Sequence, residues 1–337
     1  MAKPAPVFAV LGAGSWGTAM ASVTAANGIR TILWGRNAEQ MAAMQQSHRN
    51  ERYLPNLDLP EGLEFTADLD YALSEANQLE IVTPSGAFRE TVRASRDFLQ
   101  RHPELCWATK GLEYGTNQFL HDVACEETGQ TLDMAVISGP SFAGEVVRQL
   151  PTAVTVASNN EDYARRVASY LHNHSWFRAY TSDDMTGVQL GGAVKNVLAI
   201  AAGIADGLGF GMNTRAGLIT RGLNTIVQLG VELGAHTETF MGLAGMGDLI
   251  LTCSDDQSRN RRFGLALARG EGVEAAQQSI GQAVEGIKSA KAAWELAQAH
   301  EVDMPIVEQV YAIIYEDKDP KQAVIDLLKR EQKDEVE

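Results

Sequence analysis

The sequence is poor in cysteine, histidine and positive charge. Its three cysteines, Cys106, Cys125 and Cys253, are widely spaced with no C-x-x-C pair, which excludes a disulfide framework and a zinc ribbon. A reducing, cytoplasmic setting fits that usage. Of seven histidines, His172 and His174 are two apart and would point to different sides of a helix, so no metal is expected. Lys and Arg number 28 against 43 Asp and Glu, a net charge of −15. That balance argues against a nucleic-acid partner and an anionic membrane surface, so an anionic ligand must be recognised locally. No export signal is expected either, because the apolar run before Gly12 is too short and lacks a small-residue cleavage site.

The 337 residues exceed what one core usually organises, so two domains are expected, 1–183 and 184–337. In the first, continuously apolar runs at 7–11, 31–34, 79–82, 105–108, 135–138 and 153–157 alternate with segments long enough for crossover helices. This pattern predicts an α/β fold with a Rossmann-type, doubly wound parallel sheet. Beyond residue 184 the strand pattern stops, and helical spacing at 217–233, 262–268, 284–298 and 305–315 predicts an all-helical second domain. The charged tail 329–337 is expected to fray.

The run GAGSWG at 12–17 follows the first strand and opens a helix. Gly12 suits the tight turn, Gly14 the close approach of a pyrophosphate and Gly17 helix-to-strand packing, as in a dinucleotide site. The second strand ends at Arg36, where an NAD site usually places a carboxylate for the ribose. A guanidinium there suits the 2′-phosphate of NADP(H), which is therefore preferred, with NAD(H) still possible. At further strand ends stand Lys110 and the run SGPSFA at 138–143. Lys110 would project towards the cofactor crevice, whereas Ser141 serves equally well as a ligand contact or a helix cap.

Lys195 is the only charge between Asp184 and Asp206 in an otherwise small, apolar stretch. A buried ammonium is costly unless something pairs or uses it, which makes Lys195 a functional candidate. The stretch could just span a membrane in length, but Gln189, Lys195 and Asn196 at its centre argue against insertion. Asp248 follows two glycines in an apolar context. Ser258 reads as an N-cap that puts Arg259 and Asn260 in a first helical turn, where amides, dipole and guanidinium could hold a phosphate; a solvated basic face paired with Asp255 and Asp256 is the alternative. The glycine-rich run 203–211 reads as a flexible helix connection.

With Gly12, Gly14 and Gly17, the ATKGLE run around Lys110, SGPS at 138–141, VQLGGAVKN ending at Asn196, Gly247 with Asp248, and QSRNR at 257–261, the sequence resembles bacterial NAD(P)-dependent glycerol-3-phosphate dehydrogenase. The resemblance covers nearly the whole chain. It implies reversible hydride transfer between NAD(P)H and dihydroxyacetone phosphate, giving sn-glycerol 3-phosphate for phospholipid synthesis in a homodimeric cytoplasmic enzyme. It implies that Lys195 donates and accepts the proton, with Asp248 as a further catalytic residue. Lys110, Gly139, Ser141, Asp248, Ser258, Arg259 and Asn260 would meet the substrate. Ser15, Trp16, Arg36, Lys110, Ala143, Arg259, Ala283 and Glu285 would meet the cofactor. Gly144 stands where family members often carry lysine, and Arg36 replaces a residue that varies. Rival readings are a 3-hydroxy acid or ketopantoate-type dehydrogenase, a serine hydrolase built on Ser141, and a non-catalytic NADPH sensor.

Overall fold

The computed structural model describes residues 5–330; most of the tail expected to fray lies outside the described residues. Two compact units form, one of residues up to Gln189 with Gly242–Ala244, the other of Leu190–Met241 with the residues from Gly245 onward.

The first unit holds an eight-stranded sheet. Its strands are β1 Val7–Leu11, β2 Arg30–Trp34, β3 Leu63–Thr66, β4 Gln78–Ile81, β5 Glu104–Trp107, β6 Asp133–Ser138, β7 Thr152–Ser158 and β8 Phe177–Ser182. They lie in the order β3-β2-β1-β4-β5-β6-β7-β8. The order reverses direction between β1 and β4, the switch point at which doubly wound sheets bind ligands. All six apolar runs form strands that supply the buried core of this unit, with Ala153 and Thr155 of β7 only half-buried.

Two strands escaped the apolar reading, and both are edges. β3 alternates buried and half-buried residues, and half of β8 is exposed, so neither gives the continuous run of a covered strand. The sheet is not wholly parallel. β7 runs antiparallel to β6, because the only helix between them, Ala143–Val147, has five residues. Such a helix climbs about 7.5 Å, against about 20 Å for a six-residue strand, and cannot return the chain to the starting edge.

Among the described residues the second unit is helical. Helices Met212–Glu232, Arg259–Ala268, Glu285–Ala299 and Pro305–Tyr315 cover the four segments with helical spacing. The Lys195 helix, Met185–Gly207, is long and apolar enough to cross a membrane, and that apolar window is wholly buried in the fold. Its first turn, 185–189, belongs to the first unit, with Met185 and Val188 in the core there.

The 203–211 run is not a flexible connection at its start. Gly203 and Gly207 lie inside the helix, and a Cβ at Gly203 would stand 2.1 Å from the Arg261 carbonyl oxygen. Gly264 meets the Ile200 carbonyl in the same way, also at 2.1 Å. Glycine is used here for the contact of two helix backbones, and only the residues beyond Gly207 connect elements.

Candidate active site

In the first unit the glycine loop follows β1 at the switch point. Gly12 has φ +128, and a Cβ there would lie 2.6 Å from the Val82 carbonyl oxygen. At Gly17 a Cβ would stand only 1.8 Å from the Gly12 carbonyl oxygen, whereas a Cβ at Gly14 would meet nothing within 4 Å. The outer glycines are thus needed by the protein's own packing, and the middle one faces open space, as a pyrophosphate requires. The helix Ser15–Ala26 begins at Gly14 with no side-chain cap, leaving its first amides to an anion. Sequence reasoning missed what holds this loop: Gln40 Nε2 and Asn50 Nδ2 donate to the Ala13 carbonyl at 3.0 and 3.2 Å. Asn50 also donates to Thr18 Oγ1 at 2.7 Å.

Ser15 donates to the Tyr53 carbonyl at 3.3 Å. Arg36 is exposed just after β2, next to Gly35, whose Cβ position abuts Ala13 of the loop.

Four further candidates of this unit meet at the carboxyl edge of the sheet. Lys110 Nζ lies 5.8 Å above the Trp16 ring and donates to the Gly139 carbonyl at 3.4 Å. Ser141 Oγ donates to the same carbonyl at 2.9 Å. Ser141 is not the helix cap, since that position falls to Phe142. Its hydroxyl also serves a carbonyl instead of a histidine base, which removes the hydrolase reading. Ala143 and Gly144 are half-buried at the start of the short helix that follows.

In the second unit Lys195 is 6% exposed and Asp248 1%. Lys195 Nζ donates to Asp248 Oδ1 at 2.6 Å and to Thr252 Oγ1 at 2.9 Å. Thr252 turns its hydroxyl proton to the Asp248 carbonyl at 2.6 Å, which leaves a lone pair for the ammonium. A π-helical turn, Leu243–Gly247, precedes Asp248, with a Gly245 Cβ position 2.2 Å from the Phe240 carbonyl oxygen. Asp248 then opens helix Asp248–Ser254, into which the π-helical turn runs directly. Thr252 was missed, although four residues after Asp248 on one helix is the spacing of a shared face.

Ser258 caps helix Arg259–Ala268, its hydroxyl accepting from the Arg261 amide at 3.2 Å. Asn260 is buried, donating to Asn196 Oδ1 and accepting from the Gly286 amide, both at 2.9 Å. Asp256 pairs with Arg261, which also binds Asp206 at 2.7 Å. The solvated-face alternative thus describes only part of the segment, since Ser258, Asn260 and Arg261 are buried. Burial pushes the Glu285 carboxyl up, against the pull of Arg259 and then Lys288. Ala283 is exposed just ahead of it.

A dinucleotide loop at the switch point of a doubly wound sheet, together with a helical unit carrying a buried lysine–carboxylate pair, defines a nicotinamide-dependent dehydrogenase. Comparison with known proteins narrows the class. Residues 7–164 match the model described as NAD-dependent glycerol-3-phosphate dehydrogenase N-terminus, and residues 184–325 match its C-terminus counterpart. The chain is 52% identical over 330 residues to a glycerol-3-phosphate dehydrogenase (NAD(P)+) of Idiomarina loihiensis, covering 98% of this chain and 99% of the relative. It is 56% identical to the protein of that name from Thioalkalivibrio sulfidiphilus, with the same coverage. A crystal structure of glycerol-3-phosphate dehydrogenase from Coxiella burnetii superposes with a TM-score of 0.92 at 48% identity, covering 96% of this chain and 99% of that one. The chain belongs to the NAD-dependent glycerol-3-phosphate dehydrogenase family, as its ordered motifs imply.

Proposed function

We propose that this oxidoreductase reduces dihydroxyacetone phosphate to sn-glycerol 3-phosphate, reversibly, with Lys195 as the proton-transfer group. The buried contact of Lys195 with Asp248 and Thr252 carries the reading. A bound nicotinamide cofactor supplies the hydride to the carbonyl carbon. As the hydride arrives, the Lys195 ammonium gives its proton to the carbonyl oxygen, and in the oxidising direction the amine takes it back. Asp248 keeps the lysine oriented and its ammonium form compensated, while Thr252 accepts from Nζ.

In the first unit the open side of Gly14 and the uncapped helix start fit a cofactor pyrophosphate, with Gly12 and Gly17 shaping the loop around it. We assign Ser15, Trp16, Lys110 and Ala143 to the cofactor as well, and Lys110, Gly139 and Ser141 to the substrate. Arg36, in place of a carboxylate, favours NADPH over NADH. In the second unit Ser258, Arg259 and Asn260 are assigned to the substrate phosphate, supported by the capped helix start and its guanidinium. Arg259, Ala283 and Glu285 complete the cofactor set. A cytoplasmic homodimer supplying glycerophospholipid synthesis is the accompanying assignment, the location resting on cysteine usage and the assembly on family analogy.

The test is a two-substrate assay. Purified protein is expected to oxidise NADPH on addition of dihydroxyacetone phosphate and to leave it untouched with ketopantoate. Turnover of ketopantoate alone would overturn the reading.

A further inference from the structure

Lys110 sits in the loop after β5, and Glu113, three residues on, is where that loop is gripped. The Glu113 side chain is 10% exposed. Its carboxylate accepts from Arg89 Nε at 2.6 Å, Arg89 Nη2 at 2.7 Å and the Thr116 hydroxyl at 2.6 Å. The Glu113 amide donates to the Gln118 carbonyl at 2.9 Å.

Arg89, on helix Ser85–Ala94, does not stop there. Its Nη1 binds Glu127 at 2.9 Å, and its Nη2 binds Glu126 at 2.9 Å and Gln118 at 3.1 Å. One guanidinium therefore ties the loop's Glu113 to helix Leu120–Thr128, which begins where the loop ends. Arg89 holds the Glu113 carboxyl below the usual carboxylate range, and Arg93 followed by Arg89 takes Glu127 down to about 2. Both carboxylates are charged at neutral pH, so the brace is permanent there.

The rest of the loop is fixed at the Lys110 end. Thr109 Oγ1 donates to the Thr83 carbonyl at 2.8 Å. Gly111, at φ +117, presses its backbone against Ser85, with a Cβ position 3.2 Å from Ser85 Oγ. Lys110 thus projects from a backbone held on one side by Thr83 and on the other by Ser85 and Arg89.

We infer that Arg89 is a positioning residue for the reaction: by gripping Glu113 it fixes the loop from which Lys110 reaches over Trp16 to the Gly139 carbonyl. The inference rests on the proposed role of Lys110 in ligand contact. An ion network that served only the surface would be indifferent to Lys110. A brace that works through Lys110 loses its effect on turnover once Lys110 is gone.

The experiment is a double-variant cycle on the full chain with Arg89→Met, Lys110→Met and both together. It reads kcat/KM for NADPH-dependent reduction of dihydroxyacetone phosphate, alongside the thermal midpoint. Arg89→Met is expected to lower kcat/KM by about tenfold or more in the parent and by less than about twofold in the Lys110→Met background. Arg89→Lys, which keeps the charge without the fork, is expected not to rescue it. Should Arg89→Met fail to fold, Thr116→Val removes one donor to Glu113 and runs the same cycle. Equal losses in both backgrounds, or no loss in the parent, would overturn the inference while leaving Lys110 in its role. An inert Lys110→Met would remove both.

Discussion

Asn260 donates its side-chain amide to Oδ1 of Asn196 across 2.9 Å, which keys the helix capped by Ser258 to the residue beside Lys195. The same side chain accepts from the Gly286 amide, and a Cβ at Gly286 would collide with it at 2.7 Å. Three segments distant in sequence are thereby joined through one buried amide. Asn260→Ala leaves a buried acceptor and a buried donor unpaired, and is expected to cost about 2–4 kcal/mol by denaturant unfolding, with a raised KM for dihydroxyacetone phosphate.

Two of the three glycines of the cofactor loop, Gly17 and Gly14, are expected to fail differently. Gly17→Ala forces a methyl group to within 1.8 Å of the Gly12 carbonyl oxygen and is expected to destabilise the protein by about 3 kcal/mol or more. Gly14→Ala puts its methyl group in open space, so the thermal midpoint is expected to hold while affinity for NAD(P)H, read by fluorescence titration, falls by roughly tenfold.

Glu80, on β4, is wholly buried beside Val10 and Cys106, and neither carboxyl oxygen has a hydrogen-bond partner among the described residues. Burial pushes its carboxyl from the ordinary 4.5 up to about 8. The folded protein therefore keeps a proton that the unfolded chain releases, and stability falls as pH climbs from 4.5 to about 8, then levels. Glu80→Leu is expected to raise the thermal midpoint most near pH 8 and to flatten its pH dependence. A midpoint that falls at pH 8 would contradict the assignment of Glu80 as an uncompensated carboxyl.

The proposed preference for NADPH is assigned to Arg36. Its replacement by alanine is expected to weaken NADPH binding while sparing NADH, so that the ratio of their kcat/KM values drops by about tenfold. An unchanged ratio would place the selectivity elsewhere.

Much of this was legible from local pattern. Strands covered on both faces announce themselves as apolar runs, and in the GAGSWG loop Gly12 and Gly17 are required by close packing while Gly14 faces open space. The edge strands β3 and β8 gave no such run, because an edge has a polar side. Lys195 was visible as a lone charge in an apolar helix. Thr252 was readable as sharing the face of Asp248, four residues before it, but that this face meets Lys195, like the tie between Asn196 and Asn260, depends on which helices pack together. Arg89 was invisible for the same reason: nothing in its own helix marks an arginine whose partners lie 24 and 38 residues away.

The central claim is that the Lys195–Asp248 pair performs chemistry and does not merely fill a core. Removing Lys195 alone strands a buried carboxylate at a cost of about 3–5 kcal/mol, which would confuse folding with function. Replacing both partners by apolar side chains avoids this, since such exchanges are often neutral or stabilising by about 1–4 kcal/mol. The decisive measurement is kcat for NADPH-dependent reduction of dihydroxyacetone phosphate by the Lys195→Met/Asp248→Leu double variant, with its thermal midpoint and NADPH affinity recorded beside it. We expect a folded, cofactor-binding protein whose kcat is lower by about 10²–10⁴. Turnover within a few-fold of the parent would contradict the account.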